Sequence, residues 1–177
     1  MRLRSILYLA LSLAISAPAY VQVHDRETLN EKEVDQLRET AMEPEKRLKL
    51  YVEFTKARMS QFEQLRSDPK AQDRGKKMHD LLEDVSSLVD EIDDNVENYN
   101  ERNADLRKPL KDIVQMDSEL QAKLHDLRAY MEDPKNTQEA DDYKFAVEDA
   151  TESVNQSANS TRKLLDEQNV KFAKKKK

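Results

Sequence analysis

The densest run of ligand atoms in this sequence is Asp90-Glu-Ile-Asp-Asp-Asn-Val-Glu97. Carboxylate and amide oxygens are hard donors of the kind that gather Ca²⁺. On a helix Glu83, Asp90, Asp94, Glu97 and Glu101 fall near one face and could hold such an ion loosely. The run is no EF-hand, which needs a glycine at its turn and a glutamate at the far end of a long loop. Ile92 and Val96 carry an apolar stripe straight through it. The acids therefore read as the solvated face of an amphipathic helix.

With no cysteine in the chain, three histidines are the leading candidates for transition-metal or haem ligation. His79 and His125 each follow a core position, Met78 and Leu124, which puts them on a helix flank. Bundles that hold two irons use Glu-x-x-His pairs pointing inward. The residues three before these histidines are Lys76 and Ala122, and His-Glu-x-x-His is absent. A non-covalent haem could pair a histidine with Met78 or Met116, but methionine at helical spacing is ordinarily core filler. His24 lies near the N-terminus, outside any stripe. All three read as solvated.

Nucleophilic catalysis finds no foothold. No serine sits in a glycine-flanked elbow, and no serine or threonine lies at helical contact spacing from His79 or His125. No phosphate-binding loop is present. The tripeptides Asn155-Gln-Ser157 and Asn159-Ser-Thr161 match the glycosylation pattern formally, yet both fall inside a predicted helix. No residue is assigned a catalytic, cofactor-binding or metal-ligating role, and the chain is not expected to be an enzyme.

The sharpest functional signal is for export. Arg2 and Arg4 precede an apolar run from Ile6 to Ile15, and Ala17-Pro18-Ala19 places small residues at the −3 and −1 positions before Tyr20. That is the order of a secretory signal peptide, with cleavage between Ala19 and Tyr20. A ten-residue apolar run is too short for a hydrocarbon core of roughly 30 Å, which needs about 20 residues. The expected location is periplasmic or secreted. Cleavage would remove two arginines and no acids, making a formal net charge of −6 still more negative. Nucleic acid is a poor partner for such a charge. Without cysteine the exported chain must hold together by packing or association. Lys174, Lys175, Lys176 and Lys177, with Lys171 and Phe172 before them, could touch an anionic surface weakly. The alternative is a frayed, solubilising end.

The elements that would carry these residues are helices. Charged residues make up 37% of the chain, against roughly 25% in an average globular protein, and such polarity can signal disorder. Against that, Gly75 is the only glycine, and the apolar residues recur at helical spacing. Thr28-Leu-Asn-Glu31 reads as a capping box opening a short helix marked by Val34, Leu37 and Ala41, which must stop before Pro44. A second helix follows from Pro44, its face traced by Leu48, Tyr51, Val52, Thr55, Met59, Phe62 and Leu65. Ser67-Asp68-Pro69 and Gly75 bracket a break. The cleanest stripe runs through Met78, Leu81, Leu82, Val85, Leu88, Val89, Ile92, Val96 and Tyr99. Residues 99–108 read as a turn with Pro109 starting the next helix, and a kinked continuous helix is the alternative. That helix carries Ile113, Met116, Leu120, Leu124, Leu127 and Met131 up to Pro134. Asn136-Thr-Gln-Glu139 reads as the capping box of the last helix, with Tyr143, Val147, Ala150, Val154, Ser157, Thr161 and Leu164 on its seam. Between Ala150 and Thr161 that seam is small and polar, which predicts a close approach, a wet stretch or partial exposure.

The expectation is an all-α antiparallel bundle of four long helices plus the short N-terminal one. An elongated hairpin that dimerises to complete its core is the alternative. The boundaries are a signal peptide over 1–19, a leader over 20–27, the bundle over 28–173 and the basic tail over 174–177. In class alone this resembles the helical exported chaperones and metal-responsive proteins of the bacterial envelope. The Leu-Thr-x-x-Gln repeats of one such group are absent, and the chain is acidic where the trimeric periplasmic holdase type is basic. The functional expectation is a non-enzymatic exported bundle that acts by association with a protein partner or with itself. A metal- or haem-binding sensor module and an envelope chaperone-like protein are the alternatives.

Overall fold

A computed structural model describes residues 26–136 and 140–173. Ala17, Ala19 and Tyr20 with the rest of the expected signal peptide, most of the leader including His24, and Lys174 to Lys177 lie outside the described residues. Among the described residues the secondary structure is helical: α1 (Glu31–Glu39), α2 (Pro44–Ser67), α3 (Arg74–Glu101), α4 (Arg107–Met131) and α5 (Lys144–Ala173). None of these helices is long and apolar enough to cross a membrane.

Local chemistry sets the helix ends, with three departures from expectation. The capping box of α1 is built on Asn30 and Glu33, each side chain bonding the other's backbone N–H, and not on Thr28 and Glu31. Asn30 wins because its short amide reaches the third helical N–H. Ala41 consequently lies beyond α1 and is exposed, while Glu33 and Leu37 face inward. Gly75 belongs to the first turn of α3, and the left-handed conformation of the preceding turn falls on Asp73, φ 53°. Helix α5 starts at Lys144, eight residues after Asn136, whose amide instead donates to the carbonyl of Tyr130 at 3.0 Å. The last three residues of that expected capping box lie outside the described residues.

Polar contacts fix the directions of the four long helices. Arg47 reaches Asn95 and Tyr51 reaches Glu91, so α2 and α3 run antiparallel. Gln121 meets Asn155 while the amide of Leu106 meets Gln168, so α4 and α5 also run antiparallel. Ser157 meets Asp93 and Gln168 meets Asn100, which makes α3 and α5 parallel neighbours. Lys56 pairs with Glu119 and Lys123 with Glu63, so α2 and α4 are parallel as well. Around the bundle the order is α2, α3, α5, α4, and α3 joins α4 across the diagonal.

This corrects a purely antiparallel arrangement: two of the four sides are parallel pairs. Residues 102–106 make the crossing. Five residues at roughly 3.3 Å each can cover the diagonal of a square whose sides are about 10 Å. Asn103 takes the left-handed conformation, φ 60°, and Leu106 buries itself as the chain turns back. Residues 99–101 remain helical and α4 opens at Arg107, so the turn is shorter than expected and Pro109 sits inside the first turn of α4.

The core follows the stripes. Met78, Leu82, Val85, Leu88, Val89 and Ile92 are fully buried, facing Leu48 and Phe62 of α2 and Ile113, Met116 and Leu120 of α4. Phe62 and Tyr143 meet edge to face, ring centres 6.1 Å apart. The small seam of α5 is not exposed. Ala150, Val154, Ser157, Ala158 and Thr161 are all buried, so their small side chains serve a close approach to α3 and α4.

Candidate functional site

Helix α1 has nine residues and buries one large apolar side chain, Leu37, completely, too little to hold a helix of that length alone. Ion pairs complete its attachment. Arg58 on α2 makes a two-pronged contact with Glu33, at 2.9 and 2.6 Å, and donates to the carbonyl of Thr28 at 2.9 Å. Its Nε lies 3.4 Å from Asp84 on α3, which also accepts two bonds from Arg26. Burial pushes Glu33 upward, but the Arg58 bonds, the Asn30 amide and the Arg58 charge outweigh it and leave the carboxyl below its usual range. Held this way, α1 forms one wall of a groove of about 720 Å³ against α3. Leu29 and Val34 supply apolar surface over the buried Leu88. Glu27, Glu31, Asp35 and Glu91 make its rim predominantly acidic, with Arg38 the one cationic lining residue among the described residues.

A second arrangement lies where α3, α4 and α5 meet. Ser157 Oγ donates to Asp93 at 2.8 Å and stands 3.5 Å from Asp117 Oδ2. Asp117 and Ser157 are fully buried, and Thr161, one turn further along α5, is 1% exposed. Asp117 Oδ1 and Thr161 Oγ1 have no hydrogen-bond partner among the described residues. Burial raises the Asp117 carboxyl to about 7, helped by the charge of Asp93 and opposed by Ser157 and Arg162. Burial likewise raises Asp93 to about 6, against the Ser157 hydrogen bond and with the charges of Asp90 and Asp94 adding to it. Asp93 and Thr161 border a cleft of about 540 Å³ between α3 and α5.

The remaining candidates separate cleanly. Glu83, Asp90, Asp94, Glu97 and Glu101 are all exposed, as a solvated face requires. His125 is exposed too, whereas His79 is half-buried, its Nδ1 3.6 Å from Glu83 and 3.9 Å from Asp80. These three ligand atoms lie close enough to share an ion, although Asp80 already faces Arg26 at 4.0 Å. Met78 and Met116 are core residues. Asn155 and Asn159 are exposed on α5, within a continuous helix.

Sequence reasoning missed Arg58, Asp84, Asp93, Asp117 and Gln168. Three of them sat at legible positions. Asp117 continues the alternation Leu110, Ile113, Asp117, Leu120, Leu124, and Gln168 follows Val154, Ser157, Thr161, Leu164 in step. Arg58 lies between Thr55 and Phe62 in the same way. A polar residue at a seam position is the signal to follow. Compared with protein-family models, curated proteins and solved structures, the chain matches none.

Proposed function

We propose that this chain is an exported helical bundle that acts by holding a protein partner and not by chemistry. The observation that carries this reading is the α1–α3 groove, whose apolar floor and acidic rim suit a basic segment with apolar anchors. Such a segment would bury its anchors on Leu29 and Val34, while its cations approach Glu27, Glu31, Asp35 and Glu91.

Export rests on the sequence from Arg2 to Tyr20, which carries the three regions of a signal peptide. Cleavage after Ala19 delivers the mature chain to the periplasm or the exterior. Ala19→Leu should slow processing, because the −1 position takes only a small side chain. N-terminal sequencing of the exported protein checks it, and an intact Met1 on most molecules would refute the assignment.

A photo-crosslinking residue at Val34, in cells of the native host, tests the groove. We expect a discrete adduct that disappears when Asp35 and Glu91 are replaced by lysine. A probe at exposed Glu148 on α5 serves as the control. Equal labelling from both positions, or labelling unaffected by the lysines, would rule the groove out.

A further inference from the structure

We propose that Asp93, Asp117, Ser157 and Thr161 form a binding site for a hard divalent cation, calcium foremost, at the meeting of α3, α4 and α5. Two carboxylates share one serine hydroxyl, whose single proton can be donated to one of them at a time. No lysine or arginine among the described residues makes an ion pair with either. Arg162 acts on Asp117 through its charge but directs its bonds to Ser118 and Gln121. Two carboxylates on one hydroxyl, Asp117 fully buried and Asp93 half-buried, call for neutralisation from outside the side-chain set, by protons or by a cation.

Two further atoms point to the cation. Asp117 Oδ1 is buried without a hydrogen-bond partner among the described residues, and so is Thr161 Oγ1. Buried polar atoms are nearly always satisfied, so a pair of orphans beside a carboxylate pair calls for a ligand. Thr161 lies one turn from Ser157 on the same side of α5 and borders the same cleft as Asp93. The donor set is oxygen only, which selects hard cations over zinc, copper or iron. Oxygen separations of 2.8 and 3.5 Å match those around an ion whose bonds are about 2.4 Å long. Calcium tolerates irregular oxygen sets completed by water, whereas magnesium demands near-octahedral order. The cleft beside Asp93 gives such waters access, and Asp94, Glu97 and Glu167 at its mouth draw cations in.

Protons compete for the same pair. The charged groups facing it are Asp90, Asp94 and Glu97 from α3, and Arg162, Lys163 and Glu167 from α5. The test uses the mature chain freed of metal, with thermal unfolding followed at pH 7.5 in calcium chloride, in magnesium chloride, or in neither. At a hundredfold excess over its dissociation constant calcium should raise Tm by about 5 °C, magnesium by less. Asp117→Asn should remove the rise while remaining folded, because the amide fills the same space without charge. Thr161→Val serves if Asp117→Asn does not fold, and should lower calcium affinity about tenfold. An unchanged Tm in calcium would overturn the site. So would an equal rise in Asp117→Asn or Thr161→Val, which would place the ion on the exposed acids.

Discussion

The carboxylate of Asp142 occupies the space that a side chain at Gly75 would need: a Cβ built on Gly75 falls 2.0 Å from Asp142 Oδ2 and 2.7 Å from Asp142 Cβ. The second distance matters more, because a carboxylate can swing away but its Cβ moves only with the backbone. Alanine in place of a helical glycine ordinarily stabilises by about 0.5–1 kcal/mol. Here overpacking should reverse the sign, and Gly75→Ala should cost about 1–3 kcal/mol. Chemical denaturation measures it. A more stable variant would show that residues near Asp142 yield freely.

Arg58 is the hinge of the ion network under α1, and removing one partner of a buried pair leaves the other charge uncompensated. Arg58→Met should therefore cost roughly 3 kcal/mol, since Glu33 and Asp84 lose contacts together. Hydrogen exchange should localise the damage to residues 31–39, with little change at Leu82 or Ile92. Uniform loss of protection through α3 would mean that Arg58 braces the whole bundle instead.

Where the sequence was legible, periodicity made it so. The α3 stripe from Met78 to Tyr99 is buried nearly as written, with Leu81 alone at its edge, because an apolar residue every three or four positions has one place to go. The diagonal connection was not legible. A five-residue turn permits either a lateral or a diagonal neighbour, and the choice depends on packing across the bundle. The acidic run of α3 was half legible: its outward members are solvated, but Asp93 follows Ile92 inward, where its neighbours come from α4 and α5. Composition cannot separate five outward acids from one inward acid.

That inward acid gives the stability a pH profile. Asp117 and Asp93 have folded-state values near 7 and 6, above the ordinary 3.8, so the fold prefers their neutral forms. From about pH 4 to pH 7 the folded state holds more protons than the unfolded one. Metal-free stability should fall as pH rises through that window and level off above it. Glu33, whose value is lowered, adds the opposite loss when pH drops through the ordinary carboxylate range. The optimum should lie near pH 5. Asp117→Asn should flatten the neutral side, gaining roughly 2 kcal/mol over wild type at pH 8. Urea midpoints at pH 5 and pH 8 decide this, and a wild-type chain no less stable at pH 8 would contradict it.

Two features of the C-terminal half of α5 pull in opposite directions. Its seam offers little apolar area around Ser157 and Thr161, which argues for early fraying. Gln168 argues against it. Its Oε1 accepts from the amide of Leu106 at 3.0 Å, and its Nε2 donates to Asn100 Oδ1 at 3.0 Å and to the carbonyl of Ala104 at 3.2 Å. Leu106 precedes α4 with no capping side chain of its own, so Gln168 supplies that cap from another helix. It ties the end of α5 to the end of α3 and the start of α4, and Phe172 closes the same corner under Arg107. Gln168→Met keeps the volume but orphans a buried N–H and two acceptors, a loss of about 1–3 kcal/mol. Exposed Asn159→Ala on the same helix should change stability by less than about 0.5 kcal/mol. Hydrogen exchange at Leu106 reads the bond directly. We expect that amide to be protected in the wild-type chain and to exchange at least tenfold faster in Gln168→Met, together with the last two turns of α5. If the Leu106 amide exchanges equally fast in both proteins, the end of α5 is frayed and the cap does not hold.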